Sequence, residues 1–105
     1  MSVLHINKDN FEELVIKNEK VVLLDFWAPW CGPCRMVSPL IDQIGEEHTD
    51  FAVGKINVDE EPELAKQFGV MSIPTLVVVK GGQVVRQEVG AKPKPQIVAM
   101  VQAHL

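Results

Sequence analysis

The chain has 105 residues, of which 47% are hydrophobic and 23% charged, and its formal net charge is −4 at pH 7. This length suits one domain built around one hydrophobic core, so we expect a single domain over residues 1–105. The acidic balance leaves no basic surplus to bind phosphates, which argues against a nucleic-acid partner.

No stretch reaches the ~18 consecutive apolar residues that a membrane-spanning helix requires. The first ten residues, MSVLHINKDN, lack the basic and apolar regions of a secretory signal. We therefore expect a cytoplasmic protein without a membrane partner. A targeting peptide removed during maturation would leave no trace, so an organelle stays open as the alternative location.

The first elements in chain order are a short strand, a helix and a buried strand. VLHI (3–6) is the strand candidate, and NKDNFEELVIKN (7–18) has apolar residues at helical spacing behind the potential caps Asn7 and Asp9. VVLLDFW (21–27) is apolar on both of its alternating faces, which is typical of a strand covered on both sides in a largely parallel sheet.

A long helix follows. Pro33 can occupy its first turn, and apolar residues at helical spacing carry it to about Glu47. Pro39 is expected to kink this helix. Gly45 lies inside it and is expected to cost up to ~1 kcal/mol relative to alanine.

The second half of the chain continues the alternation. FAVGKINVD (51–59) predicts a strand, PELAKQFG (62–69) a short helix, and TLVVVK (75–80) and QVVRQEV (83–89) two strands joined by a two-glycine hairpin turn. KPQIVAMVQAHL (94–105) predicts a closing helix. Strands that alternate with helices imply parallel pairing, whereas the final hairpin must be antiparallel. We therefore predict an α/β fold with one mixed sheet of about five strands flanked by about four helices.

The only two cysteines, Cys31 and Cys34, lie where the buried strand passes into the long helix. The free N–H groups and partial positive charge of a helix N-terminus stabilise an anion, and a thiolate is an anion. This position makes Cys31 a candidate nucleophile and Cys34 a candidate resolving thiol, which attacks the mixed disulfide that Cys31 forms.

Three other interpretations of the cysteines are possible. A zinc site needs about four ligands, and the three histidines lie without ligand spacing relative to the cysteines. A structural disulfide across this short ring would contribute only ~2 kcal/mol. Two inert thiols would not need a strand-to-helix corner with two flanking tryptophans. We therefore expect no metal.

The segment WCGPC (30–34), preceded by DFWAP and followed downstream by SIPT and VGA, resembles the thioredoxin family. The similarity extends over nearly the whole chain, whose predicted order of elements matches that fold. It implies a general thiol-disulfide oxidoreductase that reduces disulfides in other proteins, with Cys31 attacking and Cys34 resolving. It also implies no bound cofactor beyond the Cys31–Cys34 disulfide.

Asp25 interrupts the apolar strand before the cysteines, where burial is expected to raise its pKa. The resemblance implies that Asp25 and Lys55 form a buried pair, with Asp25 as general base and acid for Cys34 and Lys55 as the residue that tunes it. The alternative is an aspartate near the strand end that pairs with Lys55 at the surface.

The resemblance also implies that Pro74 follows a cis peptide bond and faces the disulfide, where the backbone of Ile73 can pair with an extended substrate. The alternative is an ordinary turn proline. We expect Trp27 to pack in the core against the active-site loop, with Pro39 as a further supporting residue. An apolar docking surface around Cys31 is expected from Trp30, Gly32, Pro33, Ile73, Pro74, Val89, Gly90 and Ala91.

The predicted function is thus general protein-disulfide reduction by a monomer that a flavin- or ferredoxin-linked thioredoxin reductase returns to the dithiol. Disulfide-containing proteins are the expected substrates. One alternative is an electron donor dedicated to a single partner. Another is a binding module that uses the apolar surface and has incidental cysteines.

Overall fold

The computed structural model describes residues 2–105 and contains one five-stranded sheet. The strands are β1 (Val3–His5), β2 (Val22–Trp27), β3 (Ala52–Asn57), β4 (Thr75–Lys80) and β5 (Gln83–Val89). They lie in the order β1-β3-β2-β4-β5, with β3 parallel to β1 and β2, and β4 antiparallel to β2 and β5. The predicted mixed sheet with a terminal hairpin is confirmed.

Four helical segments flank the sheet. They are a π-helical segment (Glu12–Ile16), α1 (Gly32–Glu47), α2 (Pro62–Gln67) and α3 (Lys94–Gln102). None of the helices within residues 2–105 is long and apolar enough to cross a bilayer.

The first predicted helix is shorter than expected, and the cause is local. The side-chain oxygen of Asn7 accepts hydrogen bonds from the backbone N–H groups of Asp9 (2.9 Å) and Asn10 (3.0 Å). These bonds hold residues 7–10 in a turn, so the helical segment begins only after it. Neither expected cap is the N-cap of this segment: that position is Phe11, and Asn7 and Asp9 both lie within the preceding turn.

The sheet separates two apolar clusters, and β2 contributes to both. Leu23 packs with the inner faces of α1 and α3, whereas Leu24 and Phe26 pack with the π-helical segment and α2 on the opposite side. All three side chains are fully buried. This two-sided burial explains why the strand is apolar at both alternating positions.

The direction of β4 differs from the prediction of parallel pairing between strands joined by a helix. Although α2 precedes it, β4 runs antiparallel to β2. The six residues of α2 span only about 9 Å, which is too short to carry the chain back along a strand of about 20 Å. The segment from α2 to β4 therefore stays at the carboxyl edge of β2 and β3, and this places Ile73 and Pro74 beside the cysteines.

The predicted two-glycine turn between β4 and β5 is present. Gly81 and Gly82 have φ values of +59° and +76°, the left-handed conformation that the tightest hairpin turns require at both central positions.

Close packing explains why a glycine occupies position 45 inside α1, which the sequence alone did not reveal. A Cβ atom on Gly45 would lie 2.8 Å from Cγ2 of Val3 and 3.2 Å from the carbonyl oxygen of Ser2. Glycine therefore lets the chain at the start of β1 pass directly against α1.

We expect Gly45→Ala to lower the free energy of unfolding by about 1 kcal/mol. Overpacking against Ser2 and Val3 costs ~1–3 kcal/mol, and the gain of up to ~1 kcal/mol in helix propensity only partly offsets it. Urea denaturation measures the change. A double-mutant cycle with Val3→Ala is the control. Truncating Val3 should remove part of the overpacking penalty of Gly45→Ala, so the stability changes of the two substitutions should not add in the double variant. A more stable Gly45→Ala protein would contradict this account.

Candidate active site

Cys31 and Cys34 form a disulfide at the start of α1, with their Cα atoms 5.3 Å apart. Cys31 is the N-cap of α1, and its Sγ accepts a hydrogen bond from the backbone N–H of Cys34 (3.2 Å). Both cysteines are buried in a cluster with Ala28. The helix N-terminus therefore presents an N–H donor and its dipole to the Cys31 sulfur, an arrangement that favours an anion there.

Asp25 is 1% exposed, and among residues 2–105 neither of its carboxylate oxygens has a hydrogen-bond partner. Burial raises the pKa of Asp25 from 3.8 to about 7; the positive charge of Lys55 opposes this rise, and the negative charge of Asp42 adds to it. The surface alternative for Asp25 is excluded, since the side chain lies inside the core. A group of this kind can take up and release a proton near neutral pH.

Lys55 does not pair directly with Asp25, which differs from what the family resemblance implied. The two residues are opposite each other in the parallel register of β2 and β3. The ammonium group of Lys55 nevertheless contacts the Ser38 hydroxyl (2.7 Å) and the Asp42 carboxylate (2.8 Å), both on α1. Lys55 thus acts on Asp25 through its charge and not through a hydrogen bond.

The residues expected to dock a substrate surround the disulfide. Trp30 is 66% exposed, and its indole N–H donates to the Asp59 carboxylate (3.0 Å). The carbonyl oxygen of Ile73 lies 3.7 Å from Cys31 Sγ, and the Ile73–Pro74 peptide bond is cis. The backbone N–H of Gly90 donates to the Pro74 carbonyl (2.8 Å), which joins the end of β5 to this loop.

The remaining members of this set differ in exposure. Gly32, Pro33, Val89 and Ala91 are exposed, whereas Pro74 is buried. The exposed apolar members and Trp30 therefore leave apolar surface open to solvent, whereas the disulfide itself is almost covered.

An apolar groove of about 410 Å³ opens on one side of Trp30. Its lining includes Val58, Met71 and Ile73, and Met71 is 94% exposed. The groove shares Trp30 and Ile73 with the expected docking surface and is therefore continuous with it.

The two expected supporting residues occupy different environments. Trp27 is half-buried and packs against the cluster of Ala28, Cys31 and Cys34. Pro39 is exposed within α1, where it removes the N–H that would bond the carbonyl of Arg35.

Comparison with known proteins decides the family. The thioredoxin family model matches residues 2–103. The chain belongs to the thioredoxin family. It is 47% identical to the thioredoxin of Haemophilus influenzae over 98% of this chain and 97% of that protein, and 52% identical to the thioredoxin of Alicyclobacillus acidocaldarius over 88% of each. A chloroplastic M-type thioredoxin of Chlamydomonas reinhardtii is 45% identical over 95% of this chain and 72% of that protein.

Family membership and the disulfide at the start of α1 together establish a thioredoxin fold and a general thiol-disulfide oxidoreductase. Thioredoxins need no cofactor beyond the redox-active cysteine pair. Within residues 2–105, no three side chains of His, Cys, Asp or Glu come together in a group that could hold a metal ion.

Four residues at this site were not identified from the sequence. They are Ser38 and Asp42, which hold the ammonium group of Lys55, Asp59, which binds the Trp30 indole, and Met71 in the groove. The spacing of Ser38 and Asp42, four residues apart on α1, was an available signal that the two share a helix face. No local pattern links Asp59 to Trp30, because the two are 29 residues apart.

We expect Asp25→Asn to make the oxidised protein more stable above neutral pH. The native carboxyl group, with a pKa of about 7, keeps its proton at pH values where the unfolded chain, with a pKa near 3.8, has lost it. The stability contributed by that proton is complete below pH 3.8 and is lost as the pH rises through about 7. The ionised carboxylate then costs up to about 4 kcal/mol, which the variant should regain.

Urea denaturation of the oxidised proteins from about pH 4 to about pH 9 measures this difference. Asp9→Asn, which removes an exposed carboxylate, is the matched control and should follow the wild-type pH dependence. Parallel stability curves for the wild type and Asp25→Asn would show that Asp25 does not titrate as a buried group.

Proposed function

We propose that the protein reduces disulfides in other proteins by dithiol-disulfide exchange, with Cys31 as the attacking thiol and Cys34 as the resolving thiol. The observation that carries the proposal is the hydrogen bond from the Cys34 N–H to Cys31 Sγ at the first turn of α1. The same donor and the helix dipole stabilise a Cys31 thiolate in the reduced protein. Cys34 lies within the first turn of α1 and is only 2% exposed.

Two exchange steps transfer two electrons to the substrate. The Cys31 thiolate attacks one sulfur of the substrate disulfide, forms a mixed disulfide and displaces the other substrate sulfur as a thiolate. Cys34 gives its proton to Asp25, directly or through one water, and attacks Cys31 Sγ. The second substrate thiolate then leaves, and the Cys31–Cys34 disulfide forms.

Substrate docking follows from the exposed groups around Cys31. The carbonyl of Ile73 lies beside the reacting sulfur and can accept a hydrogen bond from an extended substrate backbone. Trp30, Pro33 and Val89 are exposed and, with the adjoining open groove, offer apolar contacts that suit many unfolded or extended segments.

The oxidised protein needs an external electron source, because each turnover consumes its dithiol. We assign this step to a flavin- or ferredoxin-linked thioredoxin reductase, which restores the two thiols by the reverse exchange. The protein acts as a monomer in a reducing compartment, the cytoplasm or an organelle such as the plastid of the Chlamydomonas relative. Nucleic acid and membrane surfaces have no part in the reaction.

Cys31→Ser should abolish reduction of insulin disulfides with dithiothreitol as the electron source, because no attacking thiol remains. Cys34→Ser is the matched variant: it should still attack and should accumulate a mixed disulfide through Cys31 that mass spectrometry detects. If iodoacetamide alkylated only Cys34 in the reduced native protein at neutral pH, the two roles would be reversed. A protein dedicated to one partner would leave insulin nearly untouched until that partner was added.

A further inference from the structure

The ammonium group of Lys55 has two partners, and both lie on α1. The Ser38 hydroxyl is 2.7 Å from Nζ and the Asp42 carboxylate 2.8 Å. Ser38 and Asp42 are four residues apart, so they share the helix face that looks onto β3. Lys55 itself is buried, whereas Asp42 is exposed, so this contact joins a buried cation to the protein surface.

Lys55 lies close enough to pair with Asp25 but does not do so. The two residues are register partners on adjacent parallel strands, about 4.8 Å apart along the hydrogen-bonding direction, and both side chains project toward α1. A lysine stem is long enough to bridge that gap. Both oxygens of Asp25 are nevertheless without a hydrogen-bond partner.

The surroundings of this pair are apolar apart from a few groups. Leu76 of β4 is the antiparallel register partner of Asp25, and it belongs to the same apolar cluster as Ile97 and Met100 of α3. His5 of β1 is the other register partner of Lys55, and with Asp42 and Glu46 of α1 it lines a surface pocket of about 380 Å³ that reaches Lys55. Cys34, at the start of α1, is part of the disulfide in this structure and becomes a titratable thiol only in the reduced protein.

We propose that Ser38 is a positioning residue for the exchange reaction: with Asp42 it holds the ammonium group of Lys55 on the α1 side, away from Asp25, whose carboxylate stays free to take a proton. The inference rests on the role of Asp25 in the proposed function. An ion pair made directly to Asp25 would stabilise the ionised carboxylate and make it a weaker base toward Cys34. Ser38 is a neutral acceptor that occupies one of the three ammonium protons, so it directs Lys55 without adding a charge of its own.

Ser38→Ala tests this proposal because it removes the hydroxyl and leaves every charge in place. With one partner lost, Lys55 should turn toward Asp25, and the pKa of Asp25 should fall by about 1 unit. Carbon-13 NMR of the Asp25 carboxyl group in the oxidised full-length protein measures this pKa. The pH profile of the resolving step, followed from a preformed mixed disulfide, should move to lower pH by the same amount.

Two further variants make the test specific. Ser38→Thr keeps the hydroxyl and should restore both the Asp25 titration and the pH profile. Glu46→Gln changes a charge in the same pocket but leaves the Lys55–Asp42 ion pair in place, and it should shift the Asp25 pKa less than Ser38→Ala does.

An unchanged Asp25 titration in Ser38→Ala would overturn the proposal. A titration that moves while the pH profile of the resolving step stays in place would also overturn it, because Ser38 would then position Lys55 without influence on exchange. Failure of the proposed function is separate: it would show as a lack of insulin reduction by the wild-type protein, whatever the Asp25 titration does.

Discussion

The Asp25 carboxyl group is enclosed in the core without a hydrogen-bond partner, and this burial constrains the rest of the structure. Ionising a carboxyl group in such a place is costly, so the native state retains the proton up to about pH 7. The two apolar clusters on the faces of β2 supply the stability that tolerates this cost. The same burial that destabilises the ionised protein gives the Asp25 carboxyl group a pKa of about 7, which is what the proposed acid and base role requires.

The site also depends on two connections, β2 to α1 and α2 to β4, that lie at the same edge of the sheet. β2 ends where α1 begins, and β4 starts at the same edge because α2 is too short to carry the chain across the sheet. Segments distant in sequence therefore meet at Cys31: the loop at Ile73, and the end of β5, whose Gly90 N–H bonds the Pro74 carbonyl. A short peptide with the same cysteine spacing would have the thiols but neither the helix N-terminus nor the docking surface.

Periodicity predicted the class of the fold and the type of nearly every element, because the faces of β2 and α1 are strongly apolar. It could not predict the π-helical segment, whose start is set by the Asn7 side chain, or the direction of β4, which depends on how far α2 can reach. From the sequence, Gly45 was expected only to lower helix stability. Its packing role could not be predicted, because the backbone that passes against it belongs to Ser2 and Val3, more than 40 residues away in the chain.

The candidate site shows the same limit at the level of single side chains. The motif and the family resemblance identified Cys31, Cys34 and Asp25, because those positions are marked by local sequence. No local sequence signal identified the partner of Lys55. Its side chain is long and flexible, several acidic residues lie within its reach, and the sequence alone does not show which of them is nearest. Only the packing of α1 on β3 shows that Ser38 and Asp42 receive the ammonium group.

This indirect arrangement has a chemical consequence that a direct ion pair would lack. The charge of Lys55 is close enough to oppose the effect of burial on the Asp25 pKa, yet both carboxylate oxygens remain without a donor. If Lys55 were bonded to Asp25, the carboxylate would be more stable and a weaker base; if no cation were near, burial would raise the pKa further and leave less of the base ionised at neutral pH. In the proposed reaction, Lys55 held at intermediate range would therefore keep Asp25 partly ionised and basic over the pH range in which thiols exchange with disulfides.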